Sequence, residues 1–148
     1  GLAALSDTRL NIAAGGGRIL TSYRLYGGTV AAFSNILPEY GIDIDIARNP
    51  DDPRSWEEAI RPDTKALLVE SVSNPLNAVA DLESLAKVAH RHGIVLIVDN
   101  TVATPYLLNP FDFGAAIVVY STTKAINGHG NAIGGIVLEN GTFDYANN

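Results

Sequence analysis

The run Ile94-Val95-Leu96-Ile97-Val98 constrains the fold more than any other feature, because five consecutive apolar residues closed by Asp99 leave no face for water. A strand of that kind is buried on both sides, the condition of a central strand in a parallel sheet with helices on each face. The run is far too short to cross a bilayer, so the rest of the chain must cover it. With 148 residues, 47% of them hydrophobic, one domain can do so.

Elsewhere the pattern alternates helix-like and strand-like segments separated by Gly, Pro, Asn and Asp, the signature of a largely parallel sheet covered by helices. Residues 2–14 read as a helix stopped by three glycines at 15–17, and 18–23 as a strand. The spacing predicts a helix over 29–40, ended around Pro38 and Gly41, then a half-buried strand in which Ile42, Ile44 and Ile46 alternate with Asp43 and Asp45. Asp52-Pro53 places a capping carboxylate before a proline at the first helical position, so a short helix runs to about Ile60, followed by a strand over 66–70. The clearest helix is 81–92: Leu82, Leu85, Ala86 and Ala89 share one face, Asp81 caps it and Gly93 ends it. His90, Arg91 and His92 fall in its last turn, where cations suit the helix dipole, and read as solvated helix-end residues. Two more strands are expected at 115–120 and 133–139. The fold class is α/β, a mostly parallel sheet sandwiched by helices, in a single domain over 1–148.

Composition removes several functions. A formal charge of −6 with ten scattered Lys and Arg argues against a nucleic-acid or anionic-membrane partner. The chain has no cysteine, which excludes disulfides, thiolate metal sites and cysteine nucleophiles, and three histidines alone cannot complete an ordinary metal shell. No basic targeting segment opens the chain, so the expectation is a soluble cytoplasmic domain. A start at Gly1 and the lack of any methionine suggest a fragment of a longer protein.

In open parallel α/β sheets ligands bind beyond the carboxyl ends of the strands, so polar residues following apolar strands are the ones to question. Four such ends stand out: Tyr26 in Leu25-Tyr26-Gly27-Gly28-Thr29, the segment 70–74, Asp99-Asn100-Thr101, and Ser121 to Lys124. Taken alone, Asp99 reads equally as a loop or capping carboxylate, and Lys124 as a solvated surface charge. Together at one sheet edge, a lysine amine and a carboxylate are what pyridoxal 5'-phosphate (PLP) requires: the amine bonds the cofactor covalently and the carboxylate keeps the pyridine nitrogen protonated. Ser121 and Thr123 would offer hydroxyl donors to a phosphate, Gly1 and Leu2 backbone N–H groups at a positive helix end, and Tyr26 a ring to stack on a flat heterocycle. The bland alternatives are turn hydrogen bonds for the hydroxyls and an ordinary loop tyrosine. Gly128-His129-Gly130 with Gly134-Gly135 does not make a dinucleotide fingerprint, since the spacing is wrong and no helix opens after it.

The ordered set LYGGT (25–29), ESVSNP (70–75), IVDNTVATPY (97–106) and STTKAINGHGNAIGG (121–135) resembles the Cys/Met-metabolism PLP enzymes, the transsulfuration family, over essentially the whole chain. The resemblance implies the large PLP-binding domain of fold-type I (aspartate aminotransferase-like) enzymes, here without the family's N-terminal arm and C-terminal domain. It implies that Lys124 carries the cofactor, that Asp99 pairs with the pyridinium nitrogen, and that Tyr26 stacks on the ring and helps protonate the leaving group. Asn74 would lie near the phenolic oxygen, with Gly1, Leu2, Ser121 and Thr123 around the phosphate. Within the family the GHGNAIGG stretch is most similar to O-acetylhomoserine sulfhydrylases, implying γ-replacement on an O-acylated homoserine by sulfide or a thiol. Methionine γ-lyase, cystathionine γ-synthase and cystathionine γ-lyase activities are the enzymatic alternatives, and a cofactor-free scaffold the non-enzymatic one. Family members resemble homotetramers built as dimers of dimers, which implies a homo-oligomer acting on a small amino-acid substrate.

Overall fold

A computed structural model describes residues 1–147. The chain runs α1 (Leu2–Ile12), β1 (Gly17–Thr21), α2 (Gly27–Asn35), β2 (Ile42–Ile46), α3 (Pro53–Ala59), β3 (Thr64–Glu70), α4 (Leu82–Arg91), β4 (Val95–Asp99), α5 (Thr104–Leu107), β5 (Ile117–Tyr120) and β6 (Ile136–Glu139). One sheet holds the strands in the order β2-β1-β3-β4-β5-β6, parallel throughout except for β6, which runs antiparallel to β5. The mostly parallel α/β architecture expected from the sequence is present.

The two-residue period of the strands divides the core into two layers. Leu67, Val69, Leu96, Val98 and Val118 pack with Trp56 of α3 and with Leu82, Leu85, Val88 and Ala89 of α4. Their neighbours Ala66, Leu68, Val95, Ile97 and Val119 face the other way, against Ala4 and Leu5 of α1 and Phe33 of α2. This is why β4 is apolar at every position. It also means that β1 sends the chain into a helix on one face while the adjacent β3 sends it to the other, and such a parting opens a crevice at the carboxyl ends.

Local chemistry explains the boundaries. The Asp52 carboxylate accepts from Arg54 N, Asp81 accepts from Ser84 N, and Gly93 takes a left-handed φ of 65° to end the helix. Helix α2 differs from expectation: it opens two residues early, where the Tyr26 carbonyl receives Thr29 N and Val30 N, and stops at Asn35. Pro38 cannot donate, so residues Leu37–Tyr40 form a 3-10 turn instead of continuing the helix. Asp99 is the last residue of β4, as the apolar run closing in it implied. The alternation in β2 fades, Ile42 being buried and Ile46 exposed, because β2 is an edge strand. The strand expected over 133–139 begins only at Ile136; Gly134 and Gly135 press on the start of α1 instead, and Ile133 is 97% exposed. His90 stays exposed, whereas Arg91 and His92 both reach Glu57, tying α4 to α3.

Arg9 was not foreseen as a core residue. It is wholly buried over the Phe33 ring, donates to the Leu5 carbonyl and the Ser6 hydroxyl, and leaves Nη1 without a partner among the described residues. Burial pushes its pKa down to about 10. No helix among the described residues is long and apolar enough to cross a membrane.

Candidate active site

A cavity of about 300 Å³ opens where the carboxyl ends of β1, β3, β4 and β5 meet the start of α1. Its wall contains Tyr26 after β1, Asn74 after β3, Asp99 at the end of β4, and Ser121, Thr123 and Lys124 after β5. Gly1 and Leu2 complete it, so all eight residues singled out in the sequence line one space.

Asp99 stands in register with Glu70 on β3 and Val119 on β5. Its Oδ1 accepts from the backbone N–H of Thr101 at 3.0 Å and from the Thr101 hydroxyl. That hydroxyl oxygen also accepts from Ser121 N at 2.8 Å, so Thr101 ties the end of β4 to the loop leading to Lys124. Oδ2 has no hydrogen-bond partner among the described residues and remains able to accept one.

Asn100, fully buried, is a second tie. Its amide nitrogen donates to the carbonyls of Thr104 and Leu108 and to the Tyr120 hydroxyl, and its oxygen accepts from the Ser71 hydroxyl at 2.6 Å. One side chain thus joins the ends of β3, β4 and β5. Sequence reasoning missed it because nothing in Asp-Asn-Thr distinguishes a buried amide from a loop residue.

Glu70 was also missed as an individual residue, although the segment beginning with it was marked. It is 9% exposed; Oε1 accepts from Tyr26 N at 2.6 Å and Oε2 from Asn74 N at 3.0 Å. Burial pushes its pKa up, the two backbone N–H groups pull it down, and the charge of Asp99 raises it further. The available signal was the one that marked Asp99: a carboxylate closing an apolar strand.

On the opposite wall α1 has Gly1 at its N-cap and, among the described residues, no capping side chain and no acidic residue in its first turn, so its positive end borders the cavity. Gly1 N donates to the Tyr120 carbonyl at 2.8 Å, fixing that end beside β5. A Cβ on Gly1 would come within 2.7 Å of the Gly134 carbonyl oxygen, so only glycine permits this approach. Thr123 differs from a free hydroxyl donor: its Oγ1 donates to Gly134 O and accepts from Gly134 N, holding the glycine pair in place. Across the cavity the Tyr26 ring, half exposed, lies against Gly28, where a Cβ would collide with it at 2.6 Å. Lys124 is exposed, and its amine has no hydrogen-bond or ion-pair partner among the described residues.

An amine, two carboxylates, the start of a helix and an aromatic ring thus share one cavity at the parting of a parallel sheet, where open α/β proteins bind their ligands. Residues 1–148 match the model of the family described as Cys/Met metabolism PLP-dependent enzyme, and the chain belongs to that family. It is 46% identical over 145 residues to O-acetyl-L-homoserine sulfhydrylase of Corynebacterium glutamicum, covering 98% of this chain and 33% of that protein. It is 43% identical to homocysteine synthase of Schizosaccharomyces pombe, covering 100% and 34% respectively. Among solved structures it superposes with a TM-score of 0.91 and 40% identity on a Campylobacter jejuni protein assigned as O-acetylhomoserine (thiol)-lyase, which carries N'-pyridoxyl-lysine-5'-monophosphate; 96% of this chain and 35% of that one are covered. Cystathionine γ-lyase of Lactobacillus plantarum gives 0.88 at 34% identity, covering 94% and 36%. The chain spans about a third of the length of the curated relatives it matches.

The residues present fit PLP on the chemistry of the donor set. Each part of the group has a complementary one: an amine for its carbonyl carbon, a carboxylate oxygen without a partner for its ring nitrogen, and N–H and hydroxyl groups for its phosphate.

Proposed function

We propose that the protein carrying this chain is a PLP-dependent enzyme of sulfur amino-acid metabolism that replaces the acyloxy group at Cγ of an O-acylated homoserine with sulfide or a thiol. The observation that carries the reading is the meeting of Lys124 and Asp99 in one cavity with the other six marked residues. The sulfhydrylase relatives point the same way on the choice of reaction.

When bound, PLP supplies an electron sink for charge developing at the amino acid's α-carbon. Lys124 would tether the group through its amine and, once displaced by the substrate amine, move protons at Cα and Cβ. Asp99, oriented by the two hydrogen bonds from Thr101, would hold the proton on the ring nitrogen through Oδ2. Tyr26 would cover one ring face and bring its hydroxyl toward the leaving group. Gly1 and Leu2 at the start of α1, with Ser121, would hold the phosphate, Thr123 would brace this wall through Gly134 rather than donate its hydroxyl, and Asn74 would meet the phenolic oxygen. The same reading makes the protein a cytoplasmic homotetramer, a dimer of dimers, with a small amino acid as substrate and no nucleic-acid or membrane partner.

Elimination is the second reading, favoured by the cystathionine γ-lyase likeness. Product analysis separates the two. The full natural-length protein, given PLP, O-acetylhomoserine and sulfide, should form homocysteine, and Lys124→Ala should form none; 2-oxobutyrate and ammonia as the main products would mean elimination. A protein that stays colourless with PLP and turns over nothing would mean a scaffold that has kept only the fold.

A further inference from the structure

Loops 22–26 and 71–81 leave adjacent strands for opposite faces of the sheet, so the cavity widens between them unless something holds them. A single side chain spans the parting. From the end of β3, Glu70 accepts from Tyr26 N on one side and from Asn74 N on the other. We infer that Glu70 is a positioning residue whose carboxylate, gripping both loops, fixes the separation of Tyr26 and Asn74 and hence the width of the slot for the cofactor ring. This deepens the cofactor reading above and rests on it.

Three observations support the assignment. Glu70 lines the cavity and is itself buried, so its oxygens are not exchanging freely with water. Both partners are N–H donors, and a carboxylate is the only side chain of this length with an acceptor on each of two oxygens; glutamine has one acceptor and one donor. Finally, Glu70 sits in register with Asp99, a second carboxylate at the same edge. A tie serving stability alone would avoid a buried charge beside another charge, since burial and repulsion both oppose it.

The test uses the cofactor-loaded protein at full natural length, comparing wild type with Glu70→Gln. In the variant one backbone N–H faces an amide NH2, and one loop is released. The dissociation constant for PLP should rise about tenfold, and the visible circular dichroism of the bound cofactor should weaken, while the unfolding midpoint of the cofactor-free protein falls only slightly. Glu70→Asp, which keeps the charge but not the reach, should lie between the two. Wild-type affinity and dichroism in Glu70→Gln would overturn the inference. Amide hydrogen exchange on the wild-type protein checks the clamp even where a variant does not fold: slow exchange at both Tyr26 and Asn74 is expected, and solvent-like rates at both overturn it. Failure of wild type to take up PLP on Lys124 would overturn the cofactor reading, and the inference with it. That result is distinguishable from failure of the clamp alone, in which wild type is labelled and Glu70→Gln matches it.

Discussion

The two ends of the sheet solve the problem of charge in opposite ways. At the amino end Arg18 on β1 reaches Asp43 at 2.8 Å, Asp45 at 3.3 Å and Asp63 at 3.1 Å, and Arg61 joins Asp45. Asp43, Asp63 and Arg61 stand largely in water while Arg18 and Asp45 are partly covered; each cation meets an anion, and such surface pairs contribute little to stability. At the carboxyl end Glu70, Ser71 and Asn100 are buried, Asp99 is half-buried, and the two carboxylates stand side by side in register. Among the described residues no arginine meets them; both Glu70 oxygens and Asp99 Oδ1 accept from backbone N–H groups and one threonine hydroxyl, and Asp99 Oδ2 is left open. Burying carboxylates without a cation is costly unless hydrogen bonds compensate. The comparison teaches that the carboxyl end keeps buried, cation-free carboxylates of the kind the proposed cofactor site requires, whereas the amino end pairs its charges as an ordinary surface does.

Perturbing each end should give effects of very different size. Asp99→Asn should lower turnover on the order of a hundredfold or more, by removing the charge that holds the ring proton; a steady-state assay with unchanged kcat would collapse the distinction between the ends. Asn100→Ala leaves the Ser71 hydroxyl without its acceptor and the Leu108 carbonyl without its donor, the Thr104 carbonyl keeping Leu108 N, so denaturant unfolding should show a loss of about 2–3 kcal/mol.

The pH dependence of stability gives a finer contrast. Burial, with Asp99 adding, raises the folded pKa of Glu70 above its ordinary 4.5. Between those two values the folded state binds more protons than the unfolded one, so this group's contribution falls as pH rises through the window. Unfolding midpoints of wild type minus Glu70→Gln, followed upward from pH 4.5, should decline and then level off. At the amino end the smallest effect is expected: Arg18→Gln should shift the midpoint slightly at low salt and negligibly at high salt, where exposed pairs are screened.

Much of this was legible in the sequence because it follows from period and punctuation. The five apolar residues before Asp99 require helices on both faces, and Asp81, Gly93 and the glycines at 15–17 mark helix ends by known backbone chemistry. Six of the eight marked residues converge because groups after parallel strands share one edge, and Gly1 and Leu2 join them from the start of α1. What escaped acts through the backbone. Glu70, Asn100 and Thr101 each grip at least one group 20 or more residues away in sequence, and such contacts leave no periodic trace. Likewise, Thr123 reads as a free hydroxyl until its bonds to Gly134 are seen.

The central claim, that this carboxyl-end cavity holds PLP on Lys124, is tested most directly by borohydride reduction after PLP incubation of the full natural-length protein, followed by peptide mass mapping. A pyridoxyl group on the peptide containing Lys124, and its absence there in Lys124→Ala, is the predicted result. A wild-type protein with no label, or with label spread over other lysines such as Lys65 and Lys87, would contradict it.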